Sequence, residues 1–324
     1  MDNGPWNKCI MNTSRREFFK VAAGLTATVC CAETAAPRPA KIIDTHAHFY
    51  DPTRPQGVPW PAKNDPVLYH TRLPKTYRAL PVPQRVDGIV VVEASTWVED
   101  NQWILDIAAH DPLIVGLVGN LPLGTPEFTG HLKRFAVNPI FRGVRTRDKS
   151  FEKSLDDRAF IKDLSDVAER GLSFDVHFPP AWVAPSIRLT KLVPSLKLIV
   201  NHVAGADVTG KAPQAEWQQL MEKLAAHPQM FMKVSGLVEG TKRRKGDAPA
   251  EVDFYRPVLD ILWKLFGADR LIYASNWPVS EYNAPLGRVQ QIAMSYFAEK
   301  GQTALDKVFW KNAQVAYGLK ERAA

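Results

Sequence analysis

Two histidines one residue apart, His46 and His48, close the run Ile42-Ile43-Asp44-Thr45 and precede a turn at Asp51-Pro52. Residues i and i+2 of a strand face the same side, so the two imidazoles can converge on one point. Such a pair is half of a common divalent-metal site. Other polar residues stand at the ends of later apolar runs: Glu93, Asn120, Arg145, His177, His202, Lys233 with Ser235, and Asn276. A single polar residue after an apolar run marks only where a strand meets water. Polar ends on nearly every run, with four histidines from three of them, predict one shared pocket.

Two chemistries can be built from these types. The imidazoles of His46, His48 and His202 with the Glu93 carboxylate could hold one divalent ion, Zn or Mn, which would acidify water or polarise a carbonyl. Without a metal, the imidazoles and Arg145 could stabilise an oxyanion. Both routes stay open, and both make His46, His48, Glu93 and His177 candidate catalytic residues. Arg145 offers a planar fork for a carboxylate or carbonyl, and Lys233 and Asn120 are further candidate substrate contacts. Asp175 shares a strand face with His177 and is expected as a buried partner of Lys233 or Arg145. Glu93 has a competing structural role as an ion-pair partner of Lys233. No Gly-x-Ser-x-Gly elbow appears, and the only cysteines, Cys9, Cys30 and Cys31, precede the first strand, so a serine or cysteine nucleophile is not expected. His70, His110, His131 and His227 fall in loops or at helix ends and read as solvated.

The elements that must position these groups alternate. Strands are predicted over 41–45, 88–93, 114–120, 142–145, 173–177, 196–201, 230–234 and 271–274. Amphipathic helices lie between most of them, including 157–170, 214–226 and 253–266. Eight strands separated by helices imply parallel strands with right-handed crossovers. The count and the 324-residue length favour an α/β (β/α)8 TIM barrel, a single domain over 41–324. No Gly-x-Gly-x-x-Gly follows the first strand, against a dinucleotide fold. The long connections 51–84, rich in proline and aromatics, and 239–252 lie on the face where barrel active sites form.

The formal net charge is +7, but the basic residues are scattered and the one cluster, Lys242-Arg243-Arg244-Lys245, reads as a solvated loop rather than a nucleic-acid groove. Before the barrel, Ser14-Arg15-Arg16-Glu17-Phe18-Phe19-Lys20 precedes an apolar stretch and the small residues Ala32, Ala35 and Ala36. Residues 1–40 therefore read as a twin-arginine export signal and linker, implying the export machinery as a partner and a periplasmic location. The apolar stretch is too short for a comfortable membrane span. Oligomeric state has no signature in the chain.

The ordered set Asp44-Thr-His-Ala-His-Phe-Tyr-Asp-Pro, Val91-Val-Glu-Ala, Phe141-Arg-Gly-Val-Arg, Lys233-Val-Ser-Gly-Leu and Ser275-Asn-Trp-Pro-Val resembles the amidohydrolase-related branch of the amidohydrolase superfamily. Within it the chain is similar to sugar-lactone and pyrone-dicarboxylate-lactone hydrolases. The likeness runs from residue 41 to about 319. It implies a TIM barrel that hydrolyses a small lactone or related carboxylate compound, with active-site roles for His46, His48, Glu93, Arg145, His177, His202 and, as a substrate contact, Trp277. Decarboxylases of small aromatic or unsaturated acids on the same barrel are the alternative. The eighth-strand motif of such hydrolases usually carries Asp, which takes a proton from water or binds metal. Here Asn276 stands in its place and can orient water but cannot be its base. Another group must do that work, with Glu93, His177 and Asp175 the candidates, or the activity differs, or the chain is a binding protein with impaired catalysis.

Overall fold

Eight parallel strands stand in chain order in one sheet of the computed structural model: β1 Ile43–Ala47, β2 Gly88–Val92, β3 Ile114–Gly119, β4 Phe141–Thr146, β5 Ser173–Val176, β6 Lys197–Val200, β7 Met230–Val234 and β8 Leu271–Tyr273. The structure describes residues 37–146, 150–177 and 180–320. Each strand pairs in parallel with the next. The ring then joins on itself just beyond β8. The Asn276 N–H donates to the His46 carbonyl and the His48 N–H to the Trp277 carbonyl, both at 2.8 Å. This is the expected (β/α)8 arrangement. The export signal falls almost wholly outside the described residues, among which no helix is long and apolar enough to cross a membrane.

Burial on both faces explains why the strands read as continuous apolar runs. In β2, Ile89 and Val91 join the layer between sheet and helices, whereas Val90 and Val92 point into the barrel. The barrel interior is filled by Ile43, Val90, Val92, Val118, Ile199, Phe231 and Ile272. The closing helix Asn312–Tyr317 adds Ala313, Ala316 and Tyr317 to the same cluster. Helix limits follow local chemistry. Asp157 caps Arg158–Glu169, its carboxylate accepting from the Ala159 N–H at 2.8 Å. The helix Arg256–Phe266 stops at Gly267, whose φ of 65° suits glycine. Its expected beginning at 253 is instead a short 3-10 turn, Val252–Phe254.

Candidate active site

The histidines meet at the C-terminal ends of the strands. The ring centroids of His46 and His48 lie 4.9 Å apart, those of His46 and His202 4.5 Å, and those of His177 and His202 5.9 Å. Each ring is held by its other side. His48 Nδ1 lies 2.9 Å from the Val92 carbonyl, and His202 Nδ1 lies 2.9 Å from Ser235 Oγ. Arg145 NH2 lies 3.2 Å from His177 Nδ1. A guanidinium only donates, so this Nδ1 accepts and the His177 ring proton sits on Nε2. Residues His202, Val203 and Ala204 adopt φ of 55°, 44° and 51°, a left-handed turn that costs about 1–2 kcal/mol per residue. Gly236 makes room for it. At φ 72° it suits glycine, and a Cβ there would lie 2.7 Å from His202 Cβ.

Beneath the imidazoles lies a charged layer closed to solvent. Lys233 and Asp175, both fully buried, pair at 2.6 Å, and Tyr317 donates to the same carboxylate oxygen at 3.0 Å. The Lys233 ammonium also lies 3.2 Å from His46 Nδ1. As a donor it fixes that nitrogen as an acceptor and leaves the proton on Nε2. Burial, then the positive charge of Lys233, holds the His46 imidazolium well below its ordinary range, so the ring is neutral at pH 7. His202 is lowered in the same way, by burial and then Arg145. A second buried carboxylate, Asp44, accepts from Tyr77 at 2.7 Å, from the Ser275 hydroxyl at 2.5 Å and from the Ser275 N–H at 2.9 Å, tying β1 to the stretch after β8.

Above this layer opens a pocket of about 500 Å³, lined by His48, Trp60, Arg145, His177, His202, Asp207, Glu239, Lys242 and Asn276 among others. Trp60, from the long connection after β1, meets His48 edge to face at 5.7 Å and packs on Tyr50 at 5.3 Å. That connection therefore both walls the pocket and packs on its own aromatics. Arg145 is nearly buried and faces Glu93 at 3.7 Å, whereas Lys233, the partner weighed for Glu93, pairs with Asp175 instead. At the rim, Lys242 pairs with Asp207 at 2.7 Å. Glu239, in the short helix Leu237–Gly240 after β7, accepts from Asn276 Nδ2 at 2.8 Å. Burial pushes its carboxyl up to about 7, against the pull of the Asn276 N–H.

Several expected contacts lie elsewhere. Trp277 is fully buried in the barrel wall against Phe49 and Tyr77, and its indole N–H donates to Glu281 at 2.7 Å, so it does not face the pocket. Lys233 lies below the pocket and has no exposed surface for a substrate. Asn120 does not line the pocket; its side-chain amide donates to the Thr96 carbonyl at 2.8 Å and its backbone N–H to Asn101 Oδ1 at 3.1 Å. His46 is enclosed under the pocket floor rather than on it. Of the outlying histidines, His227 is half-buried with Nδ1 3.1 Å from the Thr190 hydroxyl, a structural tie rather than a solvated ring. Glu239 was not anticipated, because it opens a connection that reads as a loop. The signal was available: an amide at 276 calls for a carboxylate nearby.

The donor set can be tested against a divalent ion. His48 and His202 have one ring nitrogen pinned, as ligating imidazoles do. His46 Nε2 is buried and has no hydrogen-bond partner among the described residues, which would suit a ligand. Yet the Lys233 ammonium at Nδ1 keeps a proton on that Nε2, and it places positive charge beside the site. Among the described residues no group of three His, Cys, Asp or Glu side chains is arranged to hold a metal ion. The residues as arranged do not fit a Zn or Mn centre built on His46, His48, Glu93 and His202.

Comparisons with known proteins agree with this barrel. The chain is 27% identical over 282 residues to an L-fucono-1,5-lactonase of Burkholderia ambifaria, covering 84% of this chain and 93% of that one. It is 24% identical over 296 residues to an L-fucono-1,5-lactonase of Burkholderia multivorans, covering 87% and 97%. A crystal structure of an amidohydrolase from Burkholderia multivorans with bound Zn superimposes with a TM-score of 0.77 at 23% identity, over 87% of this chain and all of that one. The family profile described as amidohydrolase matches residues 43–319, nearly the whole barrel, and the chain therefore belongs to the amidohydrolase family and is an enzyme of the hydrolase type.

Proposed function

We propose that the protein hydrolyses a small lactone, opening the ring by attack of water on the carbonyl. The observation that carries this reading is the pocket of about 500 Å³ in which Arg145, His177 and His202 face a carboxylate, Glu239. The volume suits a single five- or six-membered ring. The carbonyl oxygen gains negative charge as water adds. The Arg145 guanidinium and the His177 Nε2–H are donors of the kind that stabilise it, and both are already oriented by their mutual contact. Trp60 supplies a flat apolar wall for the ring. The lactonases named above support the same substrate class. The proposed location is the periplasm, on the strength of Arg15-Arg16 and the apolar stretch after them.

The test is a panel of five- and six-membered aldonolactones, followed with a pH indicator at low buffer strength. Ring opening releases one acid per turnover and should exceed the uncatalysed rate several hundredfold for at least one member. An enzyme that acidifies none of the panel, and instead releases carbon dioxide from aromatic acids, would replace this reading by the decarboxylase one.

A further inference from the structure

We infer that Glu239 is the general base that activates the attacking water, and that Asn276 is its positioning residue. This rests on the lactone-hydrolysis reading. The geometry is specific. Glu239 lines the pocket beside His202 and Asn276. Its Oε1 is held by Asn276 Nδ2 at 2.8 Å, while Oε2 is buried without a hydrogen-bond partner among the described residues. Asn276 itself stands at φ 58°, a left-handed conformation that asparagine tolerates better than most residues. A buried carboxylate oxygen with no donor is costly unless function requires it to take a proton.

The other groups of the pocket serve less well. His202 is neutral, and burial and the Arg145 charge lower its affinity for a proton. His177 Nδ1 is engaged by Arg145, which leaves that ring a donor on its other nitrogen. Asp207 is paired with Lys242 at the rim. Asn276 has no basic atom near neutral pH. Glu239 combines a place in the wall, a fixed orientation and a raised affinity for a proton. The titratable and charged groups around it are His202 and Tyr255, Arg244 on the connection that follows it, the Asp207–Lys242 pair, and Glu281 and Tyr282 on the turn Val279–Tyr282. Glu281 is paired with Arg72, and Tyr282 donates to Asp65, so neither competes for the proton.

The step balances without a further reactant. A water oxygen bonds to the lactone carbonyl carbon, and one water proton passes to the Glu239 carboxylate. As the tetrahedral adduct collapses, the ring C–O bond breaks and Glu239 returns the proton to the departing ring oxygen. The product is a hydroxy acid and the carboxylate is regenerated.

The experiment measures kcat/KM against pH from 5 to 9 on whichever aldonolactone the wild type opens fastest, for the wild type, Glu239→Gln and Glu239→Gln/Asn276→Asp. Near-ultraviolet circular dichroism checks each fold. The base works only when ionised, so the wild type should lose about tenfold per pH unit below 7 and level off above it. Glu239→Gln keeps an oxygen for Asn276 but no base. It should lose at least ~100-fold and its limb near 7. The double variant moves the carboxylate across the same hydrogen bond and should regain at least tenfold over Glu239→Gln. A wild-type profile flat from 6 to 8, or a Glu239→Gln enzyme within threefold of wild type with its limb intact, overturns the assignment while leaving lactone hydrolysis standing. A wild type that opens no lactone overturns both, and the two failures are distinct.

Discussion

Replacing Lys233 by methionine separates what the buried ion pair does for the fold from what it does for the site. Lys233 and Asp175 touch at 2.6 Å with no exposure to solvent, yet burial pulls the lysine down from 10.5 to about 8 despite the carboxylate beside it. A drop of that size means the ammonium is worse off in the barrel than in water by about 3 kcal/mol at neutral pH. The pair therefore adds little net stability, but removing one member does not recover that cost. Lys233→Met leaves the Asp175 charge with Tyr317 and Ser173 but no ammonium, and should destabilise by about 3–5 kcal/mol. The double variant Lys233→Met/Asp175→Asn leaves no charge at either position of the pair and should match or exceed wild-type stability by up to ~4 kcal/mol. Urea unfolding at pH 7, followed by tryptophan fluorescence, reads both. Turnover should not return with stability. Without the ammonium at Nδ1, His46 is no longer held in one tautomer, and the double variant should stay ~10–100-fold below wild type. A Lys233→Met protein as stable as wild type, or a double variant weaker than either single, would refute the reasoning. The sign in pH is also fixed. Lys233 is depressed in the fold, so its burden is complete below pH 8 and fades as pH rises from 8 toward 10.5.

Gly236→Ala adds a Cβ 2.7 Å from His202 at a left-handed φ. It should lower the melting temperature by the equivalent of at least ~1–2 kcal/mol and reduce turnover beyond any loss of folded protein; unchanged turnover would contradict the packing described. Trp277→Ala should cost about 3–5 kcal/mol in thermal or urea unfolding as a core truncation, whereas Trp60→Ala should fold normally and raise KM about tenfold. The reverse pattern would put Trp277 back among the substrate contacts. Dialysis against a chelator should leave lactone turnover intact; a loss restored by Zn would show that the imidazoles rearrange around an ion. Arg15→Lys/Arg16→Lys should hold precursor in the cytoplasm on cell fractionation, and mature protein in the periplasm would speak against the signal.

Most of the barrel was legible because parallel strands buried on both faces must be apolar throughout, which fixes the run Met230–Val234 and leaves most of the others within a residue or two. The first strand lies about two residues farther on than the pattern suggests. Its end is set by hydrogen bonds between His46 and Asn276 and between His48 and Trp277, partners some 230 positions away that no local window contains. The same distance effect hid Glu239. A four-residue helix carries no periodicity, and its carboxylate acquires meaning only beside Asn276. Trp277 was misread because the chain leaves the extended conformation at Asn276, φ 58°, so alternation along the strand does not say which way its successor faces. Lys233 does lie on the inner side, but depth along the barrel axis is invisible to alternation, and it sits one level too low to reach a substrate.

The join between the first and eighth staves is made by the backbone of His46, His48, Asn276 and Trp277, of which His48 and Asn276 line the pocket. Turnover is thus a report on completed assembly. A nascent chain still lacking its last fifty residues has no partner for its first two histidines and no way to process substrate. Breaking these two hydrogen bonds would switch the enzyme off before the rest of the barrel came apart, so loss of activity should be the earliest sign of unfolding.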